Sequence, residues 1–174
     1  MKKVNRFLPF RELPQNIAGY VMSRIWKKRL KTLSEKEIQK LYDIEEKRKR
    51  VIIVAEYDSK KKDPVLRYLS GASIGKYILL HDLHSQITLD HEEGHGDDSY
   101  RLGWLYLLTV GIYSALLCNM WDRVFHKKWT DYDRVYWYYM TRWTEKRADK
   151  NGKVDRDAYL RNIERDPASR YPEV

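Results

Sequence analysis

His91-Glu92-Glu93-Gly94-His95 is the stretch that decides how the rest of the chain is interpreted, because it has the form H-E-x-x-H. On an α-helix, residues four apart lie on one face about one turn from each other, so both imidazoles can reach one metal ion. Glu92 would then lie beside the metal, where it can hold a bound water and accept its proton. The alternative is a solvated acidic helix with two unrelated histidines. The motif favours a zinc site and predicts a hydrolase.

A zinc hydrolase also needs a third protein ligand and an open position for water. The extended motif that adds a glycine and a third histidine is excluded, because Asp98 and Arg101 occupy those two positions. Glu145, on a separate predicted helix, is the better candidate. Asp149 follows it by four residues on the same face, where it could accept a hydrogen bond from a ligand histidine and fix its tautomer. Taken alone, these two acids would mark the end of a charged surface helix; beside the histidine motif, they indicate a metal site.

The two motifs together, H-E-x-x-H and Glu145-Lys146-Arg147-Ala148-Asp149, resemble those of gluzincin metallopeptidases. Over roughly residues 8–155, the chain is also similar to a family of short zinc peptidases from gut-type bacteria. That similarity lies in the blocks 12–16, 71–78, 91–114 and 145–154. The resemblance implies hydrolysis of a peptide bond and Zn²⁺ as the cofactor. It implies the following site residues: His91, His95 and Glu145 as metal ligands, Glu92 as general base, and Asp149 behind the ligands.

The chain departs from the pattern of that family only outside the metal-binding positions. Glu93 and Asp98 stand where the family prefers an aromatic residue and a glutamine. Trp104 and Tyr113 stand where it prefers proline. These differences bear on substrate preference and on the path of the chain after the histidine helix.

Length and composition predict one folded domain, residues 1–174, in which 43% of the residues are hydrophobic. We divide it into a basic helical N-terminal part (1–50), a catalytic core (51–155) and a C-terminal extension (156–174). The predicted class is α+β and mainly helical, with a small β element before the histidine helix and a second ligand-bearing helix near the C-terminus. The single cysteine, Cys118, excludes a disulfide framework, and no segment resembles a signal peptide, so we expect an intracellular protein.

The net charge of +9 is concentrated in two clusters of lysine and arginine, at 24–31 and 47–62. Three interpretations stay open: solvated helix faces, an anionic membrane surface, or nucleic acid. Nucleic acid is the least favoured, because no nucleic-acid-binding motif accompanies the charge. The expected partner is a peptide or protein substrate, and an anionic membrane surface is the further candidate if the basic clusters are not simply solvated.

The N-terminal part contains two predicted helices. From Gln15 to about Leu30, apolar residues recur on one side of an amphipathic helix: Ile17, Tyr20, Val21, Ile25 and Trp26. We expect this side to pack on the catalytic core, although a basic helix with a tryptophan could also lie on a membrane. Ser34 and Glu37 form a capping box that begins a second helix, predicted to run to about Arg50.

Two strands are predicted ahead of the histidine helix. Residues 51–57 are rich in β-branched side chains, and 76–80 follow a turn-like segment at 71–75. In gluzincin-like enzymes such a second strand binds an extended peptide through main-chain hydrogen bonds; an ordinary sheet strand is the alternative. Gly94 inside the helix costs about 1 kcal/mol relative to alanine, which suggests that another element packs closely against it.

Residues 102–121 carry no formal charge and are long enough to cross a bilayer. Their moderate hydrophobicity favours two shorter buried helices, broken at Gly103 and Gly111, with membrane insertion or a hairpin lying on the membrane as the alternative. The acidic residues of the histidine helix indicate that the metal site faces water. A tyrosine of the aromatic stretch 131–143, or His126, could stabilise a developing oxyanion. His81 and His84 are less favoured as ligands.

Three functions compete on this basis. A zinc-dependent peptidase is the first, and a metal-binding protein without catalytic activity is the second. The third is a basic protein that binds a membrane surface or nucleic acid. Replacing Glu92 with glutamine separates the first two, because it should abolish hydrolysis while leaving zinc bound.

Overall fold

The computed structural model describes residues 8–44, 50–56, 71–80, 86–113, 142–158 and 161. In chain order its elements are α1 (Leu8–Arg11), α2 (Leu13–Arg29), α3 (Glu35–Leu41), β1 (Val51–Val54), β2 (Gly71–Ile74), β3 (Tyr77–Leu80), α4 (Gln86–Leu102), the π-helical α5 (Leu107–Gly111) and α6 (Trp143–Gly152). The predicted class, α+β and mainly helical, is confirmed.

The three strands form one sheet in the order β1-β3-β2. β1 pairs with β3 in parallel, with Val51 opposite Tyr77, and β2 pairs with β3 antiparallel, with Gly71 opposite Leu80. The turn between β2 and β3 contains Gly75 at φ +60°, a left-handed conformation that glycine adopts without steric cost. The prediction of a turn-like segment at 71–75 was therefore wrong for 71–74, which form the strand β2, and it holds at Gly75.

The two faces of the sheet support two separate parts of the core. Alternate side chains of a strand point to opposite faces, and β3 accordingly places Ile78 and Leu80 on one side and Leu79 on the other. The first side packs with residues of α3, β1 and α4: Ile38, Val54 and Leu89, together with Tyr42 after α3. The second side packs with Trp26 of α2 and with Ile53 and Ala55.

Helix α2 covers the second face with an unexpected set of side chains. Its buried residues are Gln15, Gly19, Ser23 and Trp26, which recur at helical spacing along one side. The prediction that the apolar side packs on the core was wrong except at Trp26, because Ile17, Tyr20, Val21 and Ile25 are exposed. Gly19 explains the reversal: a Cβ there would lie only 2.7 Å from the Tyr77 ring, so the absence of a side chain lets α2 approach the β2–β3 turn.

Helix α3 begins at the predicted capping box and ends earlier than predicted. Ser34 Oγ accepts a hydrogen bond from the Glu37 backbone N–H, and the Glu37 carboxylate accepts one from the Ser34 N–H. The helix ends at Leu41 because Tyr42 turns to an extended conformation, with φ −126° and ψ 139°. The predicted continuation to about Arg50 is therefore wrong for residues 42–44, which are not helical. Residues 45–49 lie outside the described residues.

The uncharged stretch after α4 is broken at the predicted glycine. Gly103 takes φ +59° and ends the helix, whereas Gly111 lies within helical structure that continues to residue 113. Tyr106 and Val110 are buried, but Trp104 and Leu108 are exposed, so the expectation of wholly buried helices was wrong here. Residues 114–121 lie outside the described part. In the described ranges, no helix combines the length and the apolar character that crossing a membrane requires.

Candidate metal centre

Helix α4 holds the two histidines of the motif on one buried face, as their spacing predicts. The His91 and His95 rings lie edge to face, with centroids 4.8 Å apart and an angle of 89° between their planes. Both Nε2 atoms point to the same carboxylate oxygen, Glu145 Oε2, at 3.1 Å for His91 and 3.2 Å for His95. The two imidazoles therefore converge on one point.

Glu145 reaches this point from the first turn of α6 and is fully buried. Its other oxygen, Oε1, accepts a hydrogen bond from Thr144 Oγ1 at 3.1 Å. One ligand atom from each of His91, His95 and Glu145 lies within 4.8 Å of the other two. Zinc bonds of about 2.0–2.2 Å in a tetrahedron separate ligand atoms by about 3.3 Å, close to the two distances observed. The chemistry and spacing of these buried donors fit a metal ion.

Two glycines bring α4 and α6 close enough for this convergence. A Cβ on Gly94 would lie 2.7 Å from the carbonyl carbon of Ala148 and closer still to its oxygen. On the facing helix, a Cβ on Gly152 would lie 2.7 Å from the carbonyl carbon of Asp90. The close packing predicted at Gly94 is present, and backbone meets backbone where the two ligand-bearing helices cross.

Asp149 lies one helical turn after Glu145 and contacts the ring nitrogen of His91 that faces away from the convergence point. His91 Nδ1 lies 2.6 Å from Asp149 Oδ1. When Nδ1–H donates to this carboxylate, Nε2 keeps its lone pair toward the other donors, which is the tautomer that a metal ligand needs. This contact is the one that the spacing of Glu145 and Asp149 predicts.

Arg156 holds Asp149 in turn. Its Nε donates to Asp149 Oδ2 at 2.7 Å and its Nη2 to Oδ1 at 2.6 Å, a two-point pairing of guanidinium and carboxylate. Nη2 also lies 3.3 Å from His91 Nδ1. Arg156, the first residue of the predicted C-terminal extension, thus contacts the site. No local signal marked it, because the chain contains 34 lysine and arginine residues.

The charges of the site are strongly coupled. Burial opposes a charged His91, but its hydrogen bonds to Asp149 and Glu145 outweigh burial and raise its pKa to about 9. Burial also opposes a charged Glu145, yet hydrogen bonds to His91 and His95 hold the pKa of that carboxyl well below its usual range. For Asp149 the opposing factor is again burial, and hydrogen bonds from Arg156 and His91 lower its pKa. The carboxylates of this cluster thus favour a proton on His91, and a metal ion could supply the positive charge in its place.

Glu92 lies beside the three donors and next to the sheet. It is buried, and burial raises its pKa above the ordinary value, although the charges of His95 and His91 act in the opposite direction. In the described ranges its Oε2 has no hydrogen-bond partner. A Cβ on Gly71 of β2 would lie 2.6 Å from Glu92 Oε1, so the strand passes directly beside this carboxylate.

The acidic residues of α4 are less exposed to water than their charge predicts. Glu93 and Asp98 are buried as well as Glu92. Asp98 Oδ1 accepts hydrogen bonds from Arg147 Nε at 2.8 Å and from Asn151 Nδ2 at 2.7 Å, which tie α4 to α6. The Asp98 carboxylate therefore stabilises the pairing of α4 with α6.

Most of the other candidate site residues lie outside the described residues, and the structure adds one that the sequence did not indicate. His81, His84, His126 and the aromatic stretch 131–141 lie outside the described ranges. Tyr106, by contrast, is buried, and its pKa is raised by burial and then by the negative charges of Glu92 and Glu145. Its hydroxyl is therefore neutral beside the site. No motif points to Tyr106. Its position depends on the turn of the chain at Gly103, which the sequence pattern does not describe.

No protein-family model, no curated protein and no solved structure matches this chain. The interpretation of the site therefore rests on its own geometry. That geometry provides a buried group of His91, His95 and Glu145 that could bind a metal ion.

Proposed function

We propose that the protein is a zinc-dependent hydrolase that cleaves peptide bonds. The observation that supports this most strongly is the convergence of three buried donor atoms beside a fourth residue, Glu92, whose buried Oε2 has no hydrogen-bond partner among the described residues. Two histidines and one glutamate are a ligand set of catalytic zinc, which leaves one coordination position open. A purely structural zinc site would use four protein ligands, and in the described residues the group contains three.

Zinc, when bound, would supply the Lewis acid that activates water for attack on a carbonyl group. Glu92 is proposed to accept the proton of the attacking water and to donate it to the leaving amine. Its raised pKa suits a group that must both take up and release a proton. Asp149 and Arg156 hold the ring of His91 in the tautomer that leaves Nε2 free for the metal.

The peptide would bind along β2 rather than along 76–80. The second predicted strand is β3, and both of its edges are paired, so its main-chain groups are not free for a substrate. Among the described strands β2 has one partner, and its Gly71 lies against Glu92. A peptide added to the outer edge of β2 would pair with the N–H and C=O groups that no described strand uses, and it would pass beside Glu92.

The experiment is hydrolysis of a diverse peptide library by the zinc-loaded protein, with new termini identified by mass spectrometry. Wild type should cleave a defined subset of peptides. Glu92→Gln should lower cleavage by at least about 100-fold, because it removes the general base, while keeping the wild-type zinc content. Glu35→Gln, an exposed glutamate of α3, is the matched control and should leave cleavage unchanged.

Two results would contradict the proposal. One is a zinc-loaded wild-type protein that cleaves no peptide, which would favour a metal-binding protein without catalytic activity. The other is equal cleavage by wild type and Glu92→Gln, which would show that the activity comes from a different site or a contaminant.

A further inference from the structure

Helix α2 exposes the side that its composition would bury. Ile17, Tyr20, Val21 and Ile25, with Leu13, are each between 44% and 57% exposed, on the side opposite the buried Gln15, Gly19 and Ser23. Folded proteins rarely leave a continuous row of large apolar side chains in water without a binding role. Because the buried side is fixed on the β2–β3 turn, this row cannot turn inward without losing that packing.

Basic side chains extend the same row toward the end of the helix. Arg24 and Lys28 follow Ile17 and Val21 at spacings of seven residues, so they lie on the same side, and both are exposed. Lys27 and Arg29 complete a basic last turn, and α2 contains no acidic residue. The exposed side of α2 is thus apolar as far as Val21, and from Arg24 onward it is mainly positively charged, with Ile25 among the basic residues.

A second group of exposed apolar residues begins where α2 is anchored. Arg11 Nη2 donates to the Arg101 carbonyl at 2.7 Å, and the Gln15 amide donates to the carbonyl of Gly103. Directly after Gly103, Trp104 is 58% exposed. Further exposed apolar residues follow it on and beside α5: Leu105, Leu108 and Ile112. Tryptophan and tyrosine prefer the boundary between water and lipid, and the exposed residues include Trp104 in this second group and Tyr20 on α2.

We propose that the exposed side of α2 binds the surface of an anionic membrane, with the helix parallel to the bilayer plane. With 17 residues, α2 is about 25 Å long, and its basic end excludes a membrane-spanning orientation. An amphipathic helix with lysine and arginine beside its apolar row has the composition of an interfacial helix. A second copy of the chain fits less well, because a two-fold pairing of this face would bury Arg24 and Lys28 either against apolar side chains or against their own copies, and in both arrangements the buried charges have no counter-ion.

The test is co-sedimentation of the full chain with lipid vesicles. Wild type should bind vesicles containing about 30% phosphatidylglycerol and bind neutral phosphatidylcholine vesicles much more weakly, and salt should weaken the first interaction. Arg24→Glu with Lys28→Glu should reduce binding to the anionic vesicles by at least about 25-fold, since one basic residue contributes about fivefold. The matched control is Lys36→Glu with Lys40→Glu on α3, both exposed, which should bind like wild type.

A second variant tests the apolar half. Ile17→Gln with Val21→Gln should reduce binding to anionic vesicles by at least about tenfold, because the apolar area that enters the lipid is lost. Its thermal unfolding midpoint should match that of wild type, since both positions are exposed. Glu92→Gln should bind vesicles like wild type, because the membrane surface does not depend on the proposed chemistry.

Four results would overturn the proposal. Wild type could fail to bind anionic vesicles, or the α3 control could lose as much binding as the α2 variant. Ile17→Gln with Val21→Gln could strongly lower the unfolding midpoint, which would mean that the chain itself covers this face. Sedimentation analysis could show a wild-type dimer that this variant dissociates, which would assign the face to a second copy.

Discussion

Replacing Gly94 with alanine should damage the metal centre without touching any of its ligands. The added Cβ would lie 2.7 Å from the Ala148 carbonyl carbon, whereas an unstrained contact between carbon atoms needs about 3.5–4.0 Å. The obstacle is backbone on the facing helix, so α6 must move away from α4 by about 1 Å. Metal–ligand distances tolerate only about 0.2 Å. The shift would therefore take Glu145 out of reach of an ion held by His91 and His95.

The expected result is a loss of zinc affinity of at least about 100-fold, since changes that only disturb groups behind the ligands already cost 10–100-fold. Overpacking should also destabilise the metal-free protein by about 1–3 kcal/mol. This is opposite to the usual effect of glycine to alanine in a helix, which stabilises by about 1 kcal/mol. Zinc affinity is measured by competition with a chromophoric chelator, and stability by urea unfolding of the metal-free protein.

Gly111→Ala is the matched control. A Cβ at Gly111 would meet its nearest neighbour, a methyl group of Leu107, at 3.5 Å, an ordinary contact. This variant should keep wild-type zinc affinity and should not be destabilised. If Gly94→Ala also binds zinc like wild type and unfolds at higher urea, the proposed close crossing of α4 and α6 is wrong.

Two further predictions concern contacts around the site, and a third concerns the capping box of α3. Arg156→Ala removes both hydrogen bonds to Asp149 and should weaken zinc binding by about 10–100-fold, with partial recovery in Arg156→Lys; equal affinity in all three proteins would refute a positioning role. The pKa of His91 is about 9 in the folded protein and about 6.5 in the unfolded chain. Proton binding to His91 therefore stabilises the metal-free protein, and this contribution is complete below pH 6.5. That stabilisation, up to about 3 kcal/mol, should be lost as pH rises through 9, and urea unfolding of metal-free protein with no such decline would contradict it. Ser34→Ala should cost about 1 kcal/mol in thermal unfolding, because it removes the helix cap; an unchanged midpoint would show that the cap contributes nothing.

The parts of the site that lie on single helices could be predicted from the sequence. A spacing of four residues places His91 beside His95, and Glu145 beside Asp149, whatever the rest of the fold does. Glycine inside α4 likewise indicated a close neighbour, and the structure supplies it. These inferences needed only helical geometry, and the pairing of the two helices followed from the chemistry of a shared metal ion.

The parts that depend on contacts between distant segments could not be predicted in this way. Periodicity identifies the apolar side of α2, but the buried side is chosen by Gly19 against Tyr77 and by the hydrogen bond of Gln15 to Gly103. Residues 71–74, Gly-Ala-Ser-Ile, have little strand propensity of their own, and they form β2 because β3 pairs with them. In each case tertiary packing outweighs the local pattern.

Arg156 illustrates the same limit within the site. One arginine among many basic residues carries no local signal, and its role appears only when the chain after α6 brings it to Asp149. Tyr106 could not be predicted for the same reason. The chain changes direction at Gly103, and only this change places Tyr106 close enough to Glu92 for that charge to affect its pKa.

The central claim is that His91, His95 and Glu145 hold one metal ion, and elemental analysis of the purified protein tests it most directly. Wild type, loaded with zinc and dialysed, should retain about one zinc per chain. Glu145→Ala should retain much less, whereas Glu35→Ala, at an exposed position of α3, should retain as much as wild type. A folded wild-type protein that retains no zinc, or a Glu145→Ala variant that retains a full equivalent, would contradict the three-ligand centre.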